Sequence, residues 1–271
     1  METLTGRTAV ITGAASGIGL AMAHRFAAEG MRLVLSDIEG DTLAAVAAEL
    51  PDDTEVVTTV CDVSDAAQIE ALRATALDAF GAVHLVCNNA GVGGGGPMAE
   101  IDLDTWRWVI DVDLWSVIHG VRTFLPLLVE QGEGHIVNTA SVAGLFSAPF
   151  MGPYNVAKYG VVALSETLSV ELQMSQSPVG VSVLCPSWVR TNIATSARNK
   201  PGADPSETDA LGDIVQKFID DGIDPAIVAD KVCDAVRTGR FWILTHDDTP
   251  KAIDRRISSM LGDGLPPLLM H

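Results

Sequence analysis

Short apolar runs alternate with amphipathic stretches along nearly the whole chain. The runs at Thr8–Thr12, 32–36, 55–60, Leu85–Asn88, His135–Thr139, 181–185 and 241–244 are rich in Val, Ile and Leu and read as strands. Between them, helical periodicity predicts helices over 18–29, 41–50, 65–80, 103 to about 125, 154–174 and 224–238. Gly30 and Gly81 stand where two of these helices should end, and Ser64 or Asp65 where one should begin. Pro51 stops a helix and Pro186 a strand. Strands that are apolar throughout belong to a parallel sheet buried on both faces, and right-handed crossovers then give a doubly wound α/β fold. A single domain over residues 1–271 is expected.

Residues 190–222 break the alternation. They are polar and carry Asn199-Lys200-Pro201-Gly202 and Asp204-Pro205. They follow the sixth strand's carboxyl end, where ligands bind in open α/β sheets, so a substrate lid is expected there.

Composition narrows the function. A net charge of −18 disfavours nucleic-acid backbones and anionic membranes as partners. The four cysteines (Cys61, Cys87, Cys185, Cys233) form no Cys-x-x-Cys pair and read as small buried hydrophobes in a reduced, cytoplasmic compartment. The six histidines are scattered, and no metal site is expected. Neither a signal peptide nor an apolar run of membrane-spanning length is apparent in the sequence.

The chemistry is concentrated in a few positions. Tyr154 and Lys158 stand four apart on a predicted helix and so share one face, where the ammonium favours the phenolate. Ser141 lies thirteen residues before Tyr154. A glycine turn, Gly13-Ala14-Ala15-Ser16-Gly17-Ile18-Gly19, joins the first strand to a helix and suits a pyrophosphate at that helix's N-terminus. This turn, Asn88-Asn89-Ala90-Gly91, Ser141 and Tyr154-Asn155-Val156-Ala157-Lys158 together resemble the short-chain dehydrogenase/reductase family over nearly the whole chain, most weakly after Thr191.

That resemblance implies a Rossmann-type fold and a nicotinamide cofactor. It places Gly13, Ser16, Gly17, Ile18 and Gly19 around the pyrophosphate and Asp62 and Val63 beside the adenine. Asn89, Ala90 and Gly91 would border the adenine ribose, and Pro186, Val189 and Thr191 the nicotinamide carboxamide. Tyr154 would exchange a proton with the substrate oxygen, Lys158 would lower the phenol's pKa and bind ribose, and Ser141 would position the substrate. Asp37 ends the second strand, where a carboxylate accepts from ribose hydroxyls and repels a 2′-phosphate. No Arg or Lys stands at Ala15, Ser16 or Ile38, so NAD is expected over NADP.

Two positions depart from the family pattern. The resemblance aligns Asp113, or less closely Asp111, with an asparagine that normally completes a proton relay, and Ser187 replaces a glycine after Pro186. Leu145, Phe146, Phe150 and Trp188 are candidate substrate contacts together with residues 92–96, of which Gly93–Gly96 are expected to form a flexible rim. Their apolar character predicts a small hydrophobic secondary alcohol or ketone. The expected activity is hydride transfer between NAD and that substrate. A same-fold lyase, epimerase or dehalogenase and a non-catalytic dinucleotide sensor are the competing expectations. The resemblance also suggests a homo-oligomer, tetrameric or dimeric, and the apolar tail over 262–271 is not expected to stay in water.

Overall fold

The structure, a computed structural model, describes residues 1–202, 210–262 and 264–267, with the backbone alone over 210–214. Seven strands form one sheet: β1 (Thr8–Thr12), β2 (Arg32–Asp37), β3 (Val56–Val60), β4 (Leu85–Asn88), β5 (His135–Thr139), β6 (Gly180–Cys185) and β7 (Trp242–Leu244). Their order is β3-β2-β1-β4-β5-β6-β7, and every pairing is parallel. The order reverses between β1 and β4, so the ligand crevice of this doubly wound sheet opens at their carboxyl ends.

The helices are α1 (Gly17–Ala28), α2 (Gly40–Ala48), α3 (Ala66–Phe80), α4 (Leu103–Ile110), α5 (Ser116–Gln131), α6 (Gly152–Met174), α7 (Ala210–Asp220), α8 (Pro225–Thr238) and α9 (Thr249–Leu261). α1 and α8 pack on one face of the sheet, where Met22, Phe26, Val228 and Val232 are fully buried among Ile11, Leu33 and Leu184. Burying each such side chain contributes about 1.5–3 kcal/mol. On the other face Ile69, Phe124, Leu128 and Leu168 cover Val10, Val86 and Ile136. Asp65 caps α3 by accepting from the Ala67 N–H, and Gly81 closes that helix in the left-handed conformation.

The predicted helix from 103 is interrupted. Between α4 and α5 lies a π-helical turn, Asp111–Trp115, which helical periodicity alone does not reveal. Helical backbone continues through Pro126 to Gln131. By length and composition alone the run Leu103–Gln131 is apolar enough to cross a membrane. Here its segments pack against α3, α6 and the sheet. Two further helices, α7 and α9, are not among the predicted elements although both are amphipathic: α7 lies inside the segment expected as a lid, and α9 follows the last predicted strand. Leu265 in the tail is 88% exposed, and the rest of the predicted apolar terminus, 268–271, lies outside the described residues.

A buried polar chain ties the sheet's centre to α6. Asn88 and Asn138 are register partners; Asn88 Nδ2 donates to Asn138 Oδ1 at 2.9 Å, and Asn138 Nδ2 donates to Ser165 Oγ at 3.0 Å. Ser165 Oγ donates in turn to the Val161 carbonyl at 2.7 Å. Gly120 of α5 lies against this chain, and a Cβ there would collide with the Asn88 amide. Gly120→Ala is therefore expected to destabilise the fold by about 1–3 kcal/mol, measured by denaturant unfolding; a midpoint equal to that of the unaltered protein would contradict this packing.

Candidate active site

The glycine turn is built for close approach. Gly13 and Gly17 adopt positive φ values of 67° and 56°. A Cβ at Gly13 would lie 2.8 Å from the Ala90 Cα, and one at Gly19 would strike the Gly13 carbonyl. The N-terminus of α1 has no acidic residue in its first turn, and the Ser16 side chain makes no capping bond. These open N–H groups and free hydroxyl, in a cradle that side chains would fill, fit a pyrophosphate. Ile18 lies partly buried in the first turn of α1.

The remaining predicted cofactor positions line the same edge of the sheet. Asp37 Oδ2 accepts from the Ala15 N–H and Oδ1 from the Glu39 N–H, both at 3.0 Å, so the carboxylate joins the glycine turn to the loop after β2. Ile38 is exposed beside it. Asp62 accepts from the N–H and hydroxyl of Ser64, while Val63 is buried in the core. Asn89 Nδ2 donates to the Thr12 carbonyl, and the N–H groups of Asn89 and Ala90 both donate to Thr12 Oγ1. Thr12 is thus the pin between β1 and the β4 loop, a role that nothing in its sequence context signals. Val189 is buried, Pro186 accepts from Ser141 Oγ, and Thr191 packs against Gly17. The segment after β6 therefore meets the glycine turn across the crevice.

Tyr154, Lys158, Ser141 and Asp113 converge at the carboxyl end of β5. Tyr154 and Lys158 are both buried on α6, and the ammonium lies 5.3 Å from the phenol ring centroid. Ser141 Oγ accepts from the Ala143 N–H at 3.1 Å and donates to the Pro186 carbonyl at 3.3 Å, and its hydroxyl acts on the Tyr154 phenol. Lys158 Nζ donates to the Thr139 carbonyl at 3.3 Å and forms an ion pair with Asp113 Oδ2, also at 3.3 Å. Asp113 Oδ1 accepts from the Val92 N–H at 2.7 Å. The π-helical turn aims Asp113 into the protein, where it is fully buried.

Burial pushes the Tyr154 phenol above its usual pKa, Lys158 and the Ser141 hydroxyl pull it down, and Asp113 adds to the rise. The expected net lowering by Lys158 is thus outweighed in the protein alone. Burial acts to lower Lys158, but the charges of Asp113 and Tyr154 hold it above the usual lysine range. Burial raises Asp113 against the pull of Lys158 and the Val92 N–H.

The predicted substrate contacts divide. Trp188 stacks on Phe218 of α7, with ring centroids 5.2 Å apart. Phe150 is exposed at φ 63°, a strained conformation for an aromatic residue. Leu145 is half-buried, but Phe146 is buried against Ala252 of α9 and packs in the core. Gly94 and Gly95 press against Val109 and the Phe150 carbonyl, so the predicted flexible rim is a close-packed turn. Val92, Val109, Ala143, Met151 and Ile193 surround Tyr154 with apolar surface.

The first part of the predicted lid crosses this edge. After Thr191 the chain forms a 3-10 segment, Ile193–Asn199. Ser196 Oγ accepts from the Gly93 N–H at 2.7 Å. Arg198 and Asn199 both reach Glu39, at 2.6 and 2.8 Å, and Lys200 donates to Thr105 Oγ1 at 2.7 Å. The strap thus runs from the end of β6 to the loop after β2. Residues 203–209 of the predicted lid lie outside the described residues.

The sequence matches the short chain dehydrogenase family profile over residues 7–202. The chain belongs to the short-chain dehydrogenase/reductase family. It is 36% identical over 248 residues to 1-deoxy-11-beta-hydroxypentalenate dehydrogenase of Streptomyces avermitilis, covering 89% of this chain and 85% of that protein. It is 30% identical to a CLA biosynthesis dehydrogenase/reductase of Lactiplantibacillus plantarum, covering 98% and 97%. A crystal structure of a short-chain dehydrogenase/reductase from Burkholderia phymatum in complex with NAD superposes with a TM-score of 0.94 at 40% identity, each chain fully covered. An oxidoreductase fold with a nicotinamide dinucleotide crevice is therefore established for this family member.

Proposed function

We propose that this family member transfers hydride between NAD and a small hydrophobic secondary alcohol or ketone, with Tyr154 as general acid and base. The observation that carries the reading is the convergence of Ser141, Tyr154 and Lys158 beside the glycine turn's crevice. When bound, the nicotinamide supplies the hydride acceptor or donor. Ser141 holds the substrate oxygen by hydrogen bonding, and Tyr154 Oη takes or gives that oxygen's proton. Lys158 stabilises the phenolate as it forms. Val92, Val109, Met151 and Ile193 exclude water around Tyr154 and suit an apolar substrate.

Asp37 supports NAD over NADP. Its carboxylate is fixed by two backbone N–H groups at the crevice edge, and Arg198, the nearby cation, is already paired with Glu39. The NAD-bound relative, 40% identical, supports the same preference. The relative from Streptomyces avermitilis is named for a hydroxylated substrate, which fits an alcohol dehydrogenase reading. The four cysteines are all free and buried, which suits the expected cytoplasmic compartment.

Initial rates with NAD and NADP separately, followed by reduced-nicotinamide absorbance over a panel of hydrophobic alcohols, test the reaction. Turnover with NAD and strong loss in Tyr154→Phe, about a thousandfold or more, is the expected result. Near-normal rates in that variant would overturn the role of Tyr154.

The strap over 193–200 acts in this reading as a clasp on the crevice. Glu39→Ala removes its contacts to Arg198 and Asn199 and is expected to speed NADH release about fivefold, read by stopped-flow fluorescence. An unchanged release rate would remove the strap from cofactor retention.

Homo-oligomer assembly belongs to the same proposal. Val156, Ala163, Thr167, Val170 and Met174 form an exposed stripe along α6. Sedimentation equilibrium should find a dimer or tetramer; a monomer at micromolar concentration would contradict this.

A further inference from the structure

The family's relay position holds a carboxylate here, and the structure shows what that carboxylate faces. Asp113 has no exposed surface, and Lys158 is 2% exposed. One carboxylate oxygen already accepts the Val92 N–H, and the other lies 3.3 Å from the ammonium. An ammonium only donates, so a protonated Oδ2 would point its O–H at a donor; the geometry suits the ionised form. The Gly91 backbone closes the pair on one side, since a Cβ there would lie 3.3 Å from Asp113 Oδ1 and 3.4 Å from Lys158 Nζ. The cation beside Tyr154 is thus matched by an anion in the same dry compartment.

We propose that Asp113 is a positioning residue that cancels the Lys158 charge, keeps Tyr154 in its phenol form at neutral pH and so sets the site for proton delivery to a carbonyl oxygen. An asparagine could accept the Val92 N–H equally well but would leave the ammonium unbalanced. The balanced pair displaces the phenolate, the form that removes a proton from an alcohol, to higher pH. Reduction of a ketone consumes the proton that this phenol holds at neutral pH. This rests on the proposed role of Tyr154 and adds the protonation state in which the resting site holds it.

The groups facing Tyr154 are few. Lys158 comes from α6, Asp113 from the π-helical turn and the Ser141 hydroxyl from the segment after β5. Cys185, at the end of β6 near Lys158, has its thiol pushed up to about 12 by burial and stays neutral. Among the described residues, Val92, Val109, Ala143, Met151 and Ile193 pack apolar surface around the phenol.

The chain has two tyrosines, Tyr154 and Tyr159, which makes a direct test available. In a Tyr159→Phe background of the full chain, tyrosinate absorbance reports Tyr154 alone, and circular dichroism at each pH restricts the reading to folded protein. Adding Asp113→Asn, which keeps the side chain's shape, should move the tyrosinate midpoint to lower pH by about one unit. A Tyr154 that stays protonated until unfolding in the background, yet titrates before unfolding with Asp113→Asn, supports the proposal equally. An unchanged or higher midpoint overturns it: the carboxylate would then serve only to keep Lys158 charged. The titration needs no substrate, so its failure is separate from a failure to find turnover.

Discussion

A lysine ammonium is buried at the carboxyl edge of the sheet, and much of the site is arranged around that cost. A charge taken out of water must be paired or it is lost to deprotonation. Lys158 is paired with Asp113 and donates to the Thr139 carbonyl. Each partner makes its own demand on the fold. The π-helical turn at Asp111–Trp115 brings the carboxylate inward. The close approach of the 142–144 turn to α6 requires Gly144, where a Cβ would lie 2.5 Å from the Lys158 carbonyl.

α6, which carries Tyr154 and Lys158, is also held from below. The chain Asn88–Asn138–Ser165 spans β4, β5 and α6 with its hydrogen bonds satisfied inside the protein, and a satisfied buried network fixes register more tightly than apolar contact alone. It fixes the part of α6 that follows Tyr154 and Lys158. On the cofactor side, Thr12 and Asp37 do equivalent work by tying the glycine turn to the β4 loop and to the loop after β2. The strap at 193–199 then reaches across the carboxyl edges that these ties have set.

The strand–helix alternation was legible because parallel strands buried on both faces leave continuous Val/Ile/Leu runs, and all seven strands lie where those runs predicted. The glycine turn and the Tyr154–Lys158 pair were legible because backbone approach and helical spacing each leave a local mark. The π-helical turn left none, since inserting one residue into a helical register does not alter composition. α7 and α9 are amphipathic, but the first lies inside a segment expected as a lid and the second beyond the last predicted strand. The helices owe their form to contacts with distant residues, such as Trp188 on Phe218 and Phe146 on Ala252.

By itself the sequence determined the fold class, the crevice and the residues that meet there, because those depend on periodicity, glycine placement and side-chain type. Tertiary structure decided how the residues act on one another. Only in the folded chain does Asp113 meet Lys158, does burial outweigh the lysine's pull on Tyr154, and does Arg198 find Glu39. Charge interactions depend on distance and on exclusion of water, and neither is written in the order of residues.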